Sequence, residues 1–436
     1  MLTRFPLSYA KKLGQKGFLH HAAVLTSGTA ISQILLVASA PLLSRLYAPD
    51  AFGLLGVYIS IVSWLNAIGG LRYEQAIVLA KDNEEASNLF AMTCTIISSI
   101  ALLSAGAIWL VGPRIASLFG TPELASLLWL LPLSVLSLGY YNAFNYWFTR
   151  VKQFTSLATA KVVRSVGTIA AQTGAGAMNL AGAGLILGQI AGQLIGLTNL
   201  AYQLVKHRQL TTEKLSLRRM PKLASEHKAF PLYQAPQAIL GAISVTMPTL
   251  VFGALFGPAV AGWYWFTQRF LRLPSELIGQ SVRQVFFQRA SELQRSGKRV
   301  YPLFKKATLS LLLIALIPAL LLIAIGPQLF SFVFGTEWQQ AGIYARWIAL
   351  WWLFEFINPP SIKMFTVLGM QRHLLTYELG LFVARAAAIA SGAVLGSALV
   401  AIALFALVGM ASNLAIITYM WATLKRHTSS AAQRQS

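Results

Sequence analysis

The sequence is short of most things a soluble enzyme uses. Acids are scarce: 13 Asp and Glu among 436 residues, against 35 Lys and Arg. Charged residues make up 11% of the chain, whereas soluble domains average about 25%. There is one cysteine, Cys94, inside an apolar segment. That excludes an intramolecular disulfide and a cysteine cluster. The six histidines (His20, His21, His207, His227, His373 and His427) lie in basic loops or tails, apart from any carboxylate at metal-ligand spacing. No metal or cofactor is therefore expected. No G-x-x-x-x-G-K-[ST] loop is present to hold ATP phosphates. No G-x-S-x-G, H-E-x-x-H or loop-borne carboxylate pair points to hydrolysis, so an enzyme is not expected. The longest hydrophilic stretch, residues 206–228, is too short to fold alone.

What the chain has instead is apolar length. Hydrophobic residues are 56% of the total, mean hydropathy is +0.61, and apolar runs of about 20 residues recur, the length that crosses a bilayer as helix. Twelve spans are expected, at 22–44, 51–70, 87–111, 124–146, 155–177, 180–204, 230–255, 260–281, 304–330, 342–362, 374–395 and 397–424. Ala38-Ser39-Ala40 imitates a signal-peptide cleavage site, but Pro41 follows directly and the preceding run carries Thr26, Ser27, Thr29, Ser32 and Gln33. The first helix is expected to be retained.

Charge placement orients the spans. With the N-terminus inside, 29 of the 35 basic residues fall in cytoplasmic segments. Only Arg45, Arg114 and Arg346 fall on the other side, and Arg269, Arg272 and Arg385 fall within spans. Cytoplasmic Lys/Arg excess is the usual topology signal. The net charge of +22 is thus a signature of orientation and of anionic lipid contact, with no nucleic-acid partner expected.

The chain repeats itself. Leu46-Tyr47-Ala48-Pro49 leads four residues later to Gly53, and Leu255-Phe256-Gly257-Pro258 leads likewise to Gly262. Phe119-Gly120-Thr121 is echoed by Phe334-Gly335-Thr336. Both echoes fall in corresponding odd-to-even connections. They predict two six-span halves of the same orientation, a transporter architecture. The expected organisation is a basic N-tail (1–21), an N-lobe (22–204), a basic cytoplasmic linker (205–229), a C-lobe (230–424) and a cytoplasmic C-tail (425–436). The fold class is all-α, polytopic, in two six-helix lobes.

Charges at bilayer depth cost about 2.5–3.5 kcal/mol each on insertion scales, and tend to face a cavity or a partner. In "WYWFTQRFLRLPSELIG", Trp265, Arg269, Arg272 and Glu276 recur at helical spacing on one face. They form either a cationic wall for an anionic substrate or, in part, a local Arg272–Glu276 pair. Lys161 and Arg164 either line the same path or snorkel to the surface. Glu355 shares a face with Asn358 just before Pro359-Pro360, and Glu378 shares one with Arg385. Glu276, Glu355 and Glu378 are candidates for ion coupling or charge pairing. Arg45 sits where an external gate or phosphate exit would be. Gly184, Gly188, Gly192 and Gly196, four apart, predict close helix packing.

The stretch "PLLSRLYAPDAFG" (41–53) followed by Leu71-Arg72-Tyr73-Glu74 resembles the N-terminal region of Wzx-type oligosaccharide flippases, members of the MOP superfamily with the MATE exporters. A weaker echo, with Leu273-Pro274 and Gln284-Val285-Phe286, lies within 262–290. The resemblance implies a MATE-like two-lobed fold working by alternating access in a bacterial inner membrane. It implies a substrate of undecaprenyl pyrophosphate bearing an oligosaccharide, flipped outward for lipopolysaccharide or other surface polysaccharide. It also implies a polysaccharide polymerase and a chain-length regulator as partners. The alternatives are a MATE-like cation-coupled antiporter, weakened by the absence of acids from the first span, and a membrane polymerase, which would need a large external loop.

Overall fold

The computed structural model describes the backbone of residues 7–119, 121–206, 215–216 and 218–433. Side chains are described within 23–426, apart from 120, 207–214, 217, 276–281, 284, 371–372 and 374–375. Helix accounts for nearly all of it. Twelve long helices follow in order: α1 (Leu7–Ala38), α2 (Pro49–Gly69), α3 (Asn83–Leu118), α4 (Leu131–Arg150), α5 (Phe154–Ala177), α6 (Ala181–Lys206), α7 (Ala235–Phe256), α8 (Pro258–Arg295), α9 (Tyr301–Phe334), α10 (Gln339–Ile357), α11 (Gln371–Val394) and α12 (Ala398–Gln433). Each expected span overlaps one of them, although 22–44, 124–146 and 342–362 also take in the separate short helices Ala40–Leu46, Leu124–Leu127 and Pro359–Val367. Among the described residues, nine helical stretches are long and apolar enough to cross a membrane. The remaining three long helices are α5, α8 and α10, which carry Lys161, Arg164, Arg269, Arg272 and Glu355. Their polar residues lower the hydropathy that the others keep.

Proline and glycine set the connections. After α1 the path breaks at Ser39 and resumes as a short helix, Ala40–Leu46, with Pro41 in its first turn, where a missing N–H costs nothing. Pro49 and Pro258 open α2 and α8 in the same way. The described chain divides into two compact units, Met1–Gly262 and Trp263–Ser436. The division falls inside α8, because α7 packs along α2 and so joins the first unit.

In the first unit, α5 and α6 form the tightest hairpin. The expected small-residue stripe makes it so. A Cβ on Gly188 would stand 2.7 Å from the Gln172 backbone nitrogen, and one on Gly192 would stand 2.8 Å from that of Thr168. At one end of the unit a core of Leu89, Trp147, Phe148, Leu200 and neighbours also takes in Leu223 and Phe230. The connection between the two halves is therefore docked rather than free over 218–230. Its short helix Met220–Glu226 is pinned by an Arg219–Glu84 ion pair, by His227 Nε2 at 3.2 Å from Glu85 Oε1, and by Tyr73 Oη donating to Ala224 O at 3.1 Å.

The turn before the short helix Tyr73–Leu79 is strained. Leu71 and Arg72 both take positive φ, 48° and 63°, a region that side chains enter only where the surroundings hold them. The turn buries Glu74, 7% exposed, whose Oε2 has no hydrogen-bond partner among the described residues and whose Oε1 is 3.7 Å from Arg72 Nη1. Burial pushes the Glu74 carboxyl up, opposed by the backbone and by Arg72. A carboxyl raised on folding favours the protonated folded state, so its ionisation removes stability as pH rises through the folded pKa. Glu74→Gln is therefore expected to melt higher than wild type at about pH 8 and to converge with it near pH 4. A melting-temperature difference that does not change with pH would count against this.

In the second unit, α9 and α10 pack as the main hairpin, with α12 against α10 and α11. The Phe266 ring of α8 lies tilted against Trp338 at 4.1 Å and edge-on to Phe334 at 4.9 Å, centroid to centroid. Thr267 Oγ1 donates to Ala341 O at 3.2 Å. The helix α9 kinks at Ile325 (φ −122°, ψ 18°), just before Pro327. Arg346 Nη2 donates to the nearby Ala324 carbonyl at 3.0 Å. The Phe266 and Thr267 contacts fix α8 lengthwise against its neighbours.

Candidate functional site

Depth comes first. Arg269 and Arg272 lie eleven and fourteen residues from the start of α8, about 16 and 21 Å at the helical rise. Arg385, fourteen residues into α11, is also about 21 Å along its helix. Measured from an interface at the start of each helix, all three distances fall inside a hydrocarbon layer about 30 Å thick. All three are half-buried, and none forms a salt bridge with a described residue.

Aromatic rings take the place of carboxylates. The Arg269 guanidinium lies over the Trp265 ring, 5.3 Å from its centroid. Arg385 is held between Trp351 of α10 and Phe405 of α12, at 5.0 and 5.1 Å, and the two rings meet edge-on. Its Nε has no hydrogen-bond partner among the described residues. A ring face attracts a cation without neutralising it, so the guanidinium donors stay available to an anion.

One carboxylate belongs to the group. Glu355 is exposed on α10, beside buried Trp351, Trp352 and Phe356. Arg272 and Arg385 act on it electrostatically, and both act on Tyr264. Tyr264 Oη accepts from Gln268 Nε2 at 3.0 Å, and both residues are buried. The structure therefore gathers Arg272, Arg385 and Glu355 with Tyr264 and Gln268 in one unit, with Arg269 on the same helix. Tyr264, Gln268, Trp351 and Phe405 were not singled out in the sequence. The i, i+4, i+8 spacing of Tyr264, Gln268 and Arg272 is a signal for the first two. The pair of rings around Arg385 had none, since they come from separate helices.

The first unit has its own cations. Lys161 Nζ donates to Thr29 Oγ1 of α1 at 2.9 Å. Arg164 lies over the Tyr141 ring at 4.9 Å. Both side chains are held sideways against neighbouring helices. Other candidates stand apart. Asn358 is buried and donates to Asn413 Oδ1 of α12 at 2.6 Å, while its own Oδ1 has no hydrogen-bond partner among the described residues. Glu378 is exposed on α11 and forms no salt bridge to Arg385. Arg45 is exposed in the last turn of its short helix. The side chain of Glu276, and with it the Arg272–Glu276 pair, lies outside the described residues. Among the described residues no group of three or more His, Cys, Asp or Glu could hold a metal ion.

Comparison with known proteins bears on the fold and the family. The chain is 24% identical over 391 residues to the "Succinoglycan biosynthesis transport protein ExoT" of Rhizobium meliloti (strain 1021), covering 88% of this chain and 76% of that one. Its fold is similar to an inward-facing multidrug-resistance MATE transporter of the MOP superfamily, with TM-score 0.72, 14% identity, and 90% and 96% of the two chains covered. It is also similar to the lipid II flippase MurJ in an inward closed conformation, with TM-score 0.69, 13% identity, and 92% and 87% covered. The fold is thus that of a multi-pass MATE-like membrane protein. A family profile described as "Polysaccharide biosynthesis protein" matches residues 42–342, well over half of the chain, which therefore belongs to that family.

Proposed function

We propose that this protein is a flippase for lipid-linked oligosaccharide. Its substrate is an oligosaccharide on undecaprenyl pyrophosphate, carried from the cytoplasmic to the outer leaflet of a bacterial inner membrane by alternating access. The product feeds surface polysaccharide synthesis, where a polymerase and a chain-length regulator are the natural partners. The single observation that carries the reading is the set of intramembrane guanidinium groups, Arg269, Arg272 and Arg385, without salt bridges to described residues. A pyrophosphate offers oxygens in the geometry that guanidinium binds two at a time. Family membership and the names of the relatives support the same class of cargo. The ring-stacked Arg269 and Arg385 also suit a group that must be released, because neither is tied up in a salt bridge with a described residue.

Gene disruption tests the reading. The expected result is loss of surface glycan with lipid-linked oligosaccharide accumulating on the cytoplasmic side. Normal surface glycan together with drug hypersensitivity would replace this reading with a MATE-like antiporter.

A further inference from the structure

Four odd-to-even connections of the first unit meet around one cavity of about 390 Å³, within the usual range for small-molecule sites of about 300–1,000 Å³. Its polar lining is Asp50, Thr121, Glu123 and Asn179, and its apolar lining includes Leu54 and Pro258. By helix alternation these connections share one side, opposite the basic loops. Acids are rare on that side: of the 13 in the chain, only Asp50, Glu123 and Glu337 fall in its connections. Two of the three line this cavity.

The second observation concerns Thr121. It is 5% exposed, it lines the cavity, and its hydroxyl has no hydrogen-bond partner among the described residues. A buried hydroxyl left unpaired carries a desolvation cost that a ligand can relieve. Asp50 uses one oxygen to accept from Ala51 N at 2.8 Å, and both Asp50 and Glu123 remain exposed.

We infer that this cavity is an external binding subsite for the glycan of the cargo, distinct from the intramembrane cations. The inference rests on the flippase reading above. The lining fits a sugar ring, which presents hydroxyl donors at its edge and C–H groups on its face. Carboxylates and the Asn179 amide meet the first, and Leu54 and Pro258 meet the second. A divalent cation would ask for oxygen on all sides, which an apolar wall does not provide. A subsite here lets the glycan be held on the outer side while the pyrophosphate leaves the arginines.

The test uses full-length protein in detergent and, as probe, the oligosaccharide repeat unit of the producing strain, released from its lipid by mild acid. Saturable binding is expected for wild type and for Arg269→Ala. At least a tenfold loss is expected for the near-isosteric double variant Asp50→Asn, Glu123→Gln, and a measurable loss for Thr121→Val, each eluting as a monodisperse peak. Equal binding by wild type and the double variant would overturn the inference. So would calcium binding at these residues with no glycan binding. In cells the double variant is expected to export less glycan. If it exports normally while disruption of the gene abolishes export, the subsite fails and the flippase reading stands. If disruption leaves export intact, the flippase reading itself fails.

Discussion

Arg269→Ala is expected to abolish most glycan export while the protein still inserts and accumulates in the membrane. The guanidinium stands about 16 Å along α8, over the Trp265 ring, with no carboxylate partner among the described residues. Removing it strands no buried acid, so folding should tolerate the loss. What disappears is a charge-assisted contact to the cargo, about 1.5–3 kcal/mol, or roughly ten- to a hundred-fold in the step that uses it. Arg269→Lys should recover part of the activity, since it restores charge without the two-pronged geometry. Quantifying surface glycan at matched expression separates these outcomes. Full export by the alanine variant would remove Arg269 from the path.

Gly53→Ala is expected to be the most damaging single-methyl change in the chain. An added Cβ would lie 1.9 Å from the carbonyl oxygen of Pro258, and the equivalent atom on Gly262 would lie 1.8 Å from that of Pro49. The first turns of α2 and α8 thus cross backbone to backbone, each glycine against the other's proline. Both obstacles are main-chain atoms, which cannot rotate aside. Overpacking ordinarily costs about 1–3 kcal/mol, and a rigid backbone clash puts this change at the upper end or beyond. Thermal melts of detergent-solubilised protein should show a large drop for Gly53→Ala and for Gly262→Ala. Gly106→Ala, where an added Cβ meets nothing within 4 Å, is the control. Wild-type melting by Gly53→Ala would refute the crossing.

That crossing changes the meaning of the internal repeat. The Pro-x-x-x-Gly echo was legible in the sequence as two matching hairpins, because proline and glycine restrict the backbone locally. That the two copies touch was not legible. It is a tertiary fact, and neither hairpin alone requires it. The span pattern was the easiest part to read, since a bilayer demands apolar length and basic flanks whatever the tertiary fold. It was faintest in α5, α8 and α10, where polar residues within the span lower hydropathy. The site follows the same rule. Arg269 and Arg272 announced themselves as costly charges on one helical face. The rings that hold Arg385 did not, because Trp351 and Phe405 look like ordinary membrane aromatics until three helices bring them together. The contact of Asn358 with Asn413 was likewise not legible, because it joins two helices far apart in the sequence.

The claim that these arginines carry a pyrophosphate-linked glycan across the bilayer is most directly tested by reconstitution. Purified protein is placed in vesicles containing undecaprenyl-pyrophosphate oligosaccharide, and a membrane-impermeant glycosidase reports the fraction of glycan on the outer face. The account predicts that wild-type protein lets the enzyme consume nearly all of the glycan, while Arg269→Ala vesicles stop near the fraction seen without protein. Wild-type vesicles indistinguishable from protein-free ones, or an alanine variant as fast as wild type, would contradict it.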